Sequence, residues 1–315
     1  MLRWRLVSGI CMVSVVVLSM VLHGNLGGSS GWDWAGALIF TGMMVAFSWI
    51  AAGEFLNLTK ACGVAGFPRL TQIFAVLLVL SVGILPVFFY PSPQQYAQRD
   101  GALLALNAIL LTSFLVFGFG LAFRKGPLAH SILDLFISLA GLIYICWTLS
   151  FIPRLYFSNG LDHDGRWLAL FLVAVTKSGD IGAYTFGMLT NKFLPGGNHK
   201  IETRISPKKS WEGLFGAAVF CVGAALLMLH FSPETHLHFR GIEVLGWRTA
   251  VFWGIFASLL GYWGDVAESA LKRAANAKDS GRIPGLGGVL DVLDSLVLVA
   301  PFFYAYVQLI AITHK

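Results

Sequence analysis

Gly101-Ala-Leu-Leu-Ala-Leu-Asn-Ala-Ile-Leu-Leu-Thr-Ser-Phe-Leu-Val-Phe-Gly-Phe-Gly-Leu-Ala-Phe123 is a run of 23 residues without one charged side chain. As a helix rising 1.5 Å per residue it spans the ~30 Å hydrocarbon layer of a bilayer. Arg99-Asp100 precedes it and Arg124-Lys125-Gly126-Pro127 follows it, so charge and turn residues mark both ends. Comparable runs lie near 6–23, 33–52, 70–90, 131–152, 167–187, 211–231, 249–266 and 288–312. Of the 315 residues, 57% are hydrophobic and 12% charged, where an ordinary soluble domain carries about 25% charged residues. The mean hydropathy is +0.73. These numbers exclude a water-soluble globule and predict an all-α, polytopic transmembrane helical bundle of about nine spans.

The first run follows Arg3 and Arg5 as a signal peptide would. It is long for that role, and Gly24 to Ser30 offers no small-x-small cleavage site, so a retained helix is expected. With nine spans, one set of loops holds 15 of the 22 Lys and Arg residues and the opposite set holds 6, with Lys177 left inside a span. The positive-inside rule then puts the N-terminus in the cytoplasm and the C-terminus outside. The net charge of +6 reads as topology rather than nucleic-acid binding, because the basic residues fall between apolar runs and not on one polar face. Cys11, Cys62, Cys146 and Cys221 are far apart, which supports neither a disulfide framework nor a zinc knuckle.

The two parts of the chain differ in kind. Residues 1–165 read as scaffold helices, nearly uncharged. Residues 166–315 read as a catalytic region, because there charges crowd the helix ends on the expected cytoplasmic side in three clusters. In the first, Lys177 and Asp180 stand three apart on one helix face inside an apolar run, where a charge costs a few kcal/mol unless it pairs or faces a polar cavity. In the second, Ser206-Pro207-Lys208-Lys209 precedes a span. Ser206 suits an N-cap and Pro207 the first helical position, which places Lys208 and Lys209 in a first turn that an anion would favour.

The third cluster is the densest. Asp265, Glu268 and Lys272 share one helix face by their i, i+3, i+7 spacing, and Asp291 and Asp294 share another at the start of the last span. Carboxylates from two helix ends make a hard-oxygen site of the kind Mg²⁺ uses, with positions left for water and phosphate. Lys272, Arg273, Lys278 and Arg282 stand in the same stretch, next to Asp279 and the Pro284-Gly285-Leu286-Gly287-Gly288 segment, whose glycines let backbone N–H groups approach a ligand. Acids and bases together at a membrane face point to a metal-bridged phosphate substrate.

At these residues the sequence resembles the phosphatidate cytidylyltransferases, the CDP-diacylglycerol synthases. The signature of that family runs Ser-x-x-Lys-Arg, four residues, Lys-Asp-x-Gly, then Pro-Gly-His-Gly-Gly and Asp-Arg-x-Asp. Here it reads Ser269-Ala-Leu-Lys272-Arg273, Lys278-Asp279-Ser280-Gly281, Pro284-Gly285-Leu286-Gly287-Gly288 and Asp291-Val292-Leu293-Asp294. The Gly264-Asp265 to Glu268 stretch, the Asp180 to Gly187 stretch and the Ser206-Pro207-Lys208-Lys209-Ser210-Trp211-Glu212-Gly213 block also fit. The match covers about the last 140 residues. Leu286 stands where the family has His, Val292 where it has Arg, and the loop between Gly281 and Pro284 is one residue short.

The resemblance implies transfer of CMP from CTP to phosphatidate, giving CDP-diacylglycerol and pyrophosphate in phospholipid biosynthesis. It implies Mg²⁺ on Asp265 and Asp291, with Glu268 and Asp294 in the same or the surrounding set, and K⁺ as a second cation. Lys272 and Arg273 act on phosphate oxygens in the reaction. Ser206, Lys208, Lys209, Lys278, Asp279, Arg282, Gly287, Gly288 and Asp180 line the substrates. The partners implied are CTP, phosphatidate and the bilayer lipid, with a homodimer by family analogy, at an inner cell membrane with the site facing the cytoplasm. A membrane transporter is the rival from another class, resting on Lys177 and Asp180. Leu286 and Val292 leave open a divergent homologue with another lipid acceptor or weak activity.

Overall fold

A computed structural model of the chain describes residues 14, 17, 33–83, 96–124, 126–158, 165–194, 197–201, 204–232, 237–239, 242–281 and 287–313. The first expected span, Arg282 and Leu286 lie outside the described residues. The quoted run sits in helix α3, Tyr96–Ala122, after α1, Asp33–Ala61, and α2, Pro68–Gly83. It is followed by α4, Leu128–Gly141, which continues through a π-helical segment, Leu142–Trp147, towards α5, Phe151–Tyr156. Then come α6, Gly165–Phe193, α7, Trp211–His230, the strands β1, Leu237–Phe239, and β2, Ile242–Leu245, and finally α8, Trp247–Ala274, and α9, Leu290–Thr313.

Six helices are long and apolar enough to cross a membrane: Gly36–Ala61, Gly101–Ala122, Leu128–Tyr156, Trp211–His230, Trp247–Ala274 and Leu290–Ala311. The protein is an integral membrane protein of helical class. Among the described residues α2 is apolar but only 16 residues long. Helix α6 has 29 residues, yet it carries Arg166, Lys177, Asp180 and Lys192 and falls outside the six. Among the described residues, two short strands lie between α7 and α8, where β1 and β2 pair antiparallel with Phe239 opposite Ile242. Apolar residues alternate through Leu237, Phe239, Ile242 and Val244, which is the period of a strand and not of a helix.

The chain divides into two compact units. One contains residues 14–157 together with 274–291. Its helices α1, α2, α3 and α4 pack on one another. The turn between α1 and α2 is fixed from α4: the Gly66 N–H donates to Asp134 Oδ1 at 2.9 Å and the Phe67 N–H to Ser138 Oγ at 2.7 Å. Gly66 has φ +65°, and a Cβ there would meet Leu56 and Ser138, so the position requires glycine. Phe40 stacks on Tyr156 with ring centroids 3.9 Å apart, both rings fully buried.

The other unit contains 158–273 and 292–315. Here small residues set the helix spacing, as expected where lipid gives no hydrophobic drive between helices. A Cβ on Gly216 of α7 would fall 2.7 Å from the Gly182 carbonyl oxygen of α6, and one on Gly254 of α8 would fall 2.7 Å from Val222 Cα of α7. A Cβ on Gly264 of α8 would strike the Asp294 carbonyl of α9. Phe303 stacks on Phe171 and meets Trp253 edge-on. Close backbones leave the polar side chains of α6, α8 and α9 facing one another.

Candidate active site

In the 158–273 and 292–315 unit, Lys177 is the hub. It is 8% exposed, and its ammonium donates to Asp180 Oδ2 at 2.9 Å and to Ser295 Oγ at 2.7 Å. The i, i+3 spacing on α6 therefore does form the ion pair that it predicts. Asp265 on α8 and Asp294 on α9 stand near enough for their carboxyl groups to interact, with Lys177 as a shared positive neighbour. Asp294 also accepts from the Ser295 N–H at 2.6 Å.

The loop before α7 supplies a second cation. Lys209 Nζ lies 3.1 Å from Asp265 Oδ2, donates to the Tyr262 carbonyl at 3.0 Å and stands 4.5 Å from the centre of the Tyr262 ring. Arg273 Nε reaches the Ile205 carbonyl at 3.4 Å, tying the same loop to the far end of α8. The expected N-cap at Ser206 is corrected here. Helix α7 starts at Trp211, and Ser210 caps it, accepting from the Gly213 N–H at 3.2 Å. Residues 206–209 form a turn closed by the Lys209 N–H on the Ser206 carbonyl, and an isolated bridge pairs Lys200 with Ser210. Glu212 then occupies the first turn, the sign that the helix dipole favours. Lys209 consequently neutralises Asp265 instead of sitting at a helix N-terminus, while Lys208 is exposed.

Glu268 and Lys272, one turn apart on α8, pair with each other, and Glu268 is 1% exposed. Among the described residues no group of three or more His, Cys, Asp or Glu side chains is placed to hold a metal ion. The four expected metal carboxylates are thus not assembled as a closed cage. What exists is the Asp265 and Asp294 pair, and two interacting carboxylates are unfavourable without a proton or cation between them. Mg²⁺ commonly takes one or two protein carboxylates and completes its shell with water and substrate phosphate. The donor set fits that ion.

The second polar cluster lies within the unit of residues 14–157 and 274–291. Asp291, in the first turn of α9, accepts at Oδ2 from the Ser280 N–H at 2.9 Å and the Ser280 hydroxyl at 2.8 Å. Glu54 on α1, 8% exposed, accepts at Oε1 from the Val289 N–H at 3.0 Å and at Oε2 from the Leu290 N–H at 2.8 Å, with Ser280 Oγ 3.1 Å away. The glycines fit these carboxylates. Gly287 has φ +84°, and a Cβ there would come 2.6 Å from Asp291 Oδ2, while on Gly281 or Gly288 it would collide with Glu54. Lys278 and Asp279 are exposed.

Asp180, Lys209, Asp265 and Asp294 of the expected site residues therefore meet in one unit, and Asp291, Gly287 and Gly288 cluster in the other. Lys177, Ser295 and Tyr262 join the first group, and Glu54 and Ser280 the second, without having been singled out as site residues. Glu54 had a signal: it is the one acidic residue between Asp33 and Asp100, inside an apolar helix.

The model of the Cytidylyltransferase family matches residues 4–310. The chain belongs to this family. The chain is 30% identical over 310 residues to a phosphatidate cytidylyltransferase of Bacillus subtilis strain 168, covering 96% of each chain. To one from Synechocystis it is 28% identical over 299 residues, covering 87% of this chain and 90% of the relative. To one from Chlamydia muridarum it is 33% identical over 189 residues, covering 58% of this chain and 56% of that relative. Against the Chlamydia protein the chain thus spans little more than half the relative's length, whereas the Bacillus match is end to end, and the family likeness extends well beyond the C-terminal motifs into the N-terminal helices.

Proposed function

We propose that this membrane enzyme is a phosphatidate cytidylyltransferase, joining phosphatidate to the cytidylyl group of CTP with release of pyrophosphate. The observation that carries the reading is the Lys209 and Asp265 ion pair beside Asp294, Asp180 and Lys177, within a chain that the Cytidylyltransferase family model matches over residues 4–310. A phosphatidate oxygen attacks the α-phosphorus of CTP, the bond from that phosphorus to the oxygen bridging to the β-phosphorus breaks, and pyrophosphate leaves with the electron pair. Both reactants are anions, so catalysis consists of neutralising charge and holding the two phosphates in line.

An ammonium has three N–H donors. On Lys209 two are taken by Asp265 and the Tyr262 carbonyl, and the third is assigned to a phosphate oxygen. Lys272, Arg273 and Lys278 bind further phosphate oxygens, Arg273 with its planar fork and the lysines as point charges. Asp265, with Asp294 beside it, is assigned as the carboxylate that would hold Mg²⁺, Glu268 supporting it and K⁺ as a second cation; Asp291 keeps the metal role that the family motif implies. The bound metal would lower the charge on the nucleotide phosphates and on the departing pyrophosphate. Lys177 and Asp180 fix the electrostatics around the carboxylate pair, and Lys208, Asp279, Ser206, Gly287, Gly288 and Arg282 belong to the substrate surface.

The nine-span arrangement with a cytoplasmic N-terminus, supported by the distribution of Lys and Arg, puts these motifs at the cytoplasmic face of an inner cell membrane, where CTP is available. A homodimer is part of the same proposal. Residues 1–165 serve as scaffold and 166–315 as the catalytic region, with Glu54 and the 274–291 segment as the exception that the packing shows. Val292, in place of the family's Arg at the start of α9, favours testing a second acceptor. The experiment supplies purified protein in mixed micelles with CTP, Mg²⁺ and either phosphatidate or other phosphorylated lipids. CDP-diacylglycerol and pyrophosphate in equal amounts support the proposal. A product formed only from another lipid, or none, overturns the phosphatidate assignment.

A further inference from the structure

We infer that Glu54 is a positioning residue for the reaction: a carboxylate clasp that closes the base of the glycine segment and thereby fixes Asp291. The inference rests on the proposed role of Asp291. Four groups converge on Glu54 from the C-terminal segment. Two are the backbone N–H groups of Val289 and Leu290, on which the Glu54 oxygens sit at 3.0 and 2.8 Å. The third is Ser280 Oγ at 3.1 Å. The fourth is the close approach of Gly281 and Gly288, where a Cβ on Gly281 would come 2.9 Å from Gly288 Cα and also collide with Glu54. The segment thus leaves at Ser280 and Gly281 and returns at Gly288 to Leu290 on the same carboxylate. The first N–H groups of a helix have no partner within it, and here Glu54 supplies two acceptors to the start of α9.

Ser280 stands between the clasp and Asp291 and serves Asp291. Its N–H and its hydroxyl both address Asp291 Oδ2, at 2.9 and 2.8 Å, while the same hydroxyl oxygen is 3.1 Å from Glu54 Oε2. A hydroxyl has one proton to donate, so it serves one carboxylate at a time. The shorter contact assigns that proton to Asp291, and Glu54 holds its place through the two N–H donors. Glu54 touches no reacting atom in this scheme. It fixes the Val289 and Leu290 N–H groups at the start of α9, and with them the backbone that carries Asp291, from a helix that otherwise belongs to the apolar scaffold. No other acidic residue lies between Asp33 and Asp100, and an acid buried in an apolar helix persists where its charge is used.

The test uses the full-length protein in nanodiscs and three variants. Glu54→Gln keeps the volume but turns a donor towards a donor at one of the two N–H groups. Glu54→Asp keeps the charge but falls short by one methylene. Ser280→Ala leaves the N–H contacts of Glu54 in place and removes the hydroxyl link to Asp291. Hydrogen exchange is read at the Val289 and Leu290 amides, and KM for CTP at limiting Mg²⁺ is read against kcat at saturation. Expected for both Glu54 variants is exchange faster by about tenfold at these two amides and KM raised by about tenfold, the loss of one charge-assisted hydrogen bond. Expected for Ser280→Ala is the raised KM with native exchange at Leu290. Native exchange and native KM in Glu54→Gln overturn the clasp, and so does full rescue by Glu54→Asp, which would show a charge effect without reach. If the unmodified chain forms no CDP-diacylglycerol, the functional reading falls. Unchanged exchange in the Glu54 variants then still overturns the clasp, and faster exchange upholds it.

Discussion

The Lys209 ammonium stands 3.1 Å from Asp265 Oδ2, joining the loop before α7 to the middle of α8. Both groups are mostly shielded, with 17% and 30% of their side chains exposed. A cation held there neutralises the carboxylate, and in the proposed function its third donor serves a phosphate oxygen. Lys209→Met is expected to lower kcat/KM for CTP by about 100-fold, in the range for removing one charged donor from a developing oxyanion. Lys208→Met, at the exposed neighbour, is expected to cost less than about tenfold, as for surface charges. Steady-state pyrophosphate release measures both, and equal effects would contradict the distinction.

Gly264 is where α8 and α9 touch, because a Cβ would strike the Asp294 carbonyl and come 3.2 Å from Ser295 Cα. These are backbone atoms and cannot swing aside. Gly264→Ala is expected to destabilise the protein by about 1–3 kcal/mol, the cost of overpacking, and to reduce activity by displacing Asp294. Thermal unfolding in detergent, followed by far-ultraviolet circular dichroism, checks the first effect. An unchanged midpoint would show that the helices can separate freely.

Lys177 and Asp180 predict non-additivity. Lys177→Met leaves Asp180, Asp265 and Asp294 without their central cation and is expected to cost about 2 kcal/mol, below the range for fully buried pairs because Asp180 is 31% exposed. Adding Asp180→Leu removes one of the stranded charges and recovers part of the loss. Denaturation midpoints of the two single variants and the double variant complete the cycle. Strict additivity would mean that the two side chains do not act as a pair.

Metal removal separates chemistry from fold. Among the described residues no group of three or more metal-ligating side chains ties the helices together, so chelation is expected to abolish turnover while helicity and the unfolding midpoint stay within error. Collapse of the fold on chelation would contradict this, since it would require a structural metal.

The helical class was legible, and helices lie at eight of the nine expected positions, six of them long and apolar enough to cross a membrane, because apolar runs of this length allow little else. The run ends were less so. Ser206-Pro207 has the form of a helix start, but Ser210 wins because its hydroxyl reaches the Gly213 N–H and Glu212 follows in the first turn. The hairpin at 237–245 was too short to register beside runs of twenty residues.

Of the site, Asp180, Lys209, Asp265 and Asp294 were legible from charge inside or beside apolar runs. Glu54 stood out as a lone acid in an apolar helix, but its partners did not, because Val289 and Leu290 are 235 and 236 residues away and a single acid carries no spacing. Asp291 and Asp294 are one turn apart in sequence, yet their side chains serve different partners: Asp291 is held by Ser280, whereas Asp294 interacts with Asp265. Helical periodicity gives the shared face and not the partner.

The most direct test is CDP-diacylglycerol formation from CTP and phosphatidate by the purified chain with and without Mg²⁺, beside Asp265→Asn and Asp291→Asn. The account predicts product with the native chain and Mg²⁺, none without the metal, and a loss of about 1000-fold or more in each variant with helicity unchanged. Native turnover in Asp265→Asn, or no product from a folded native chain at any Mg²⁺ concentration, would contradict it.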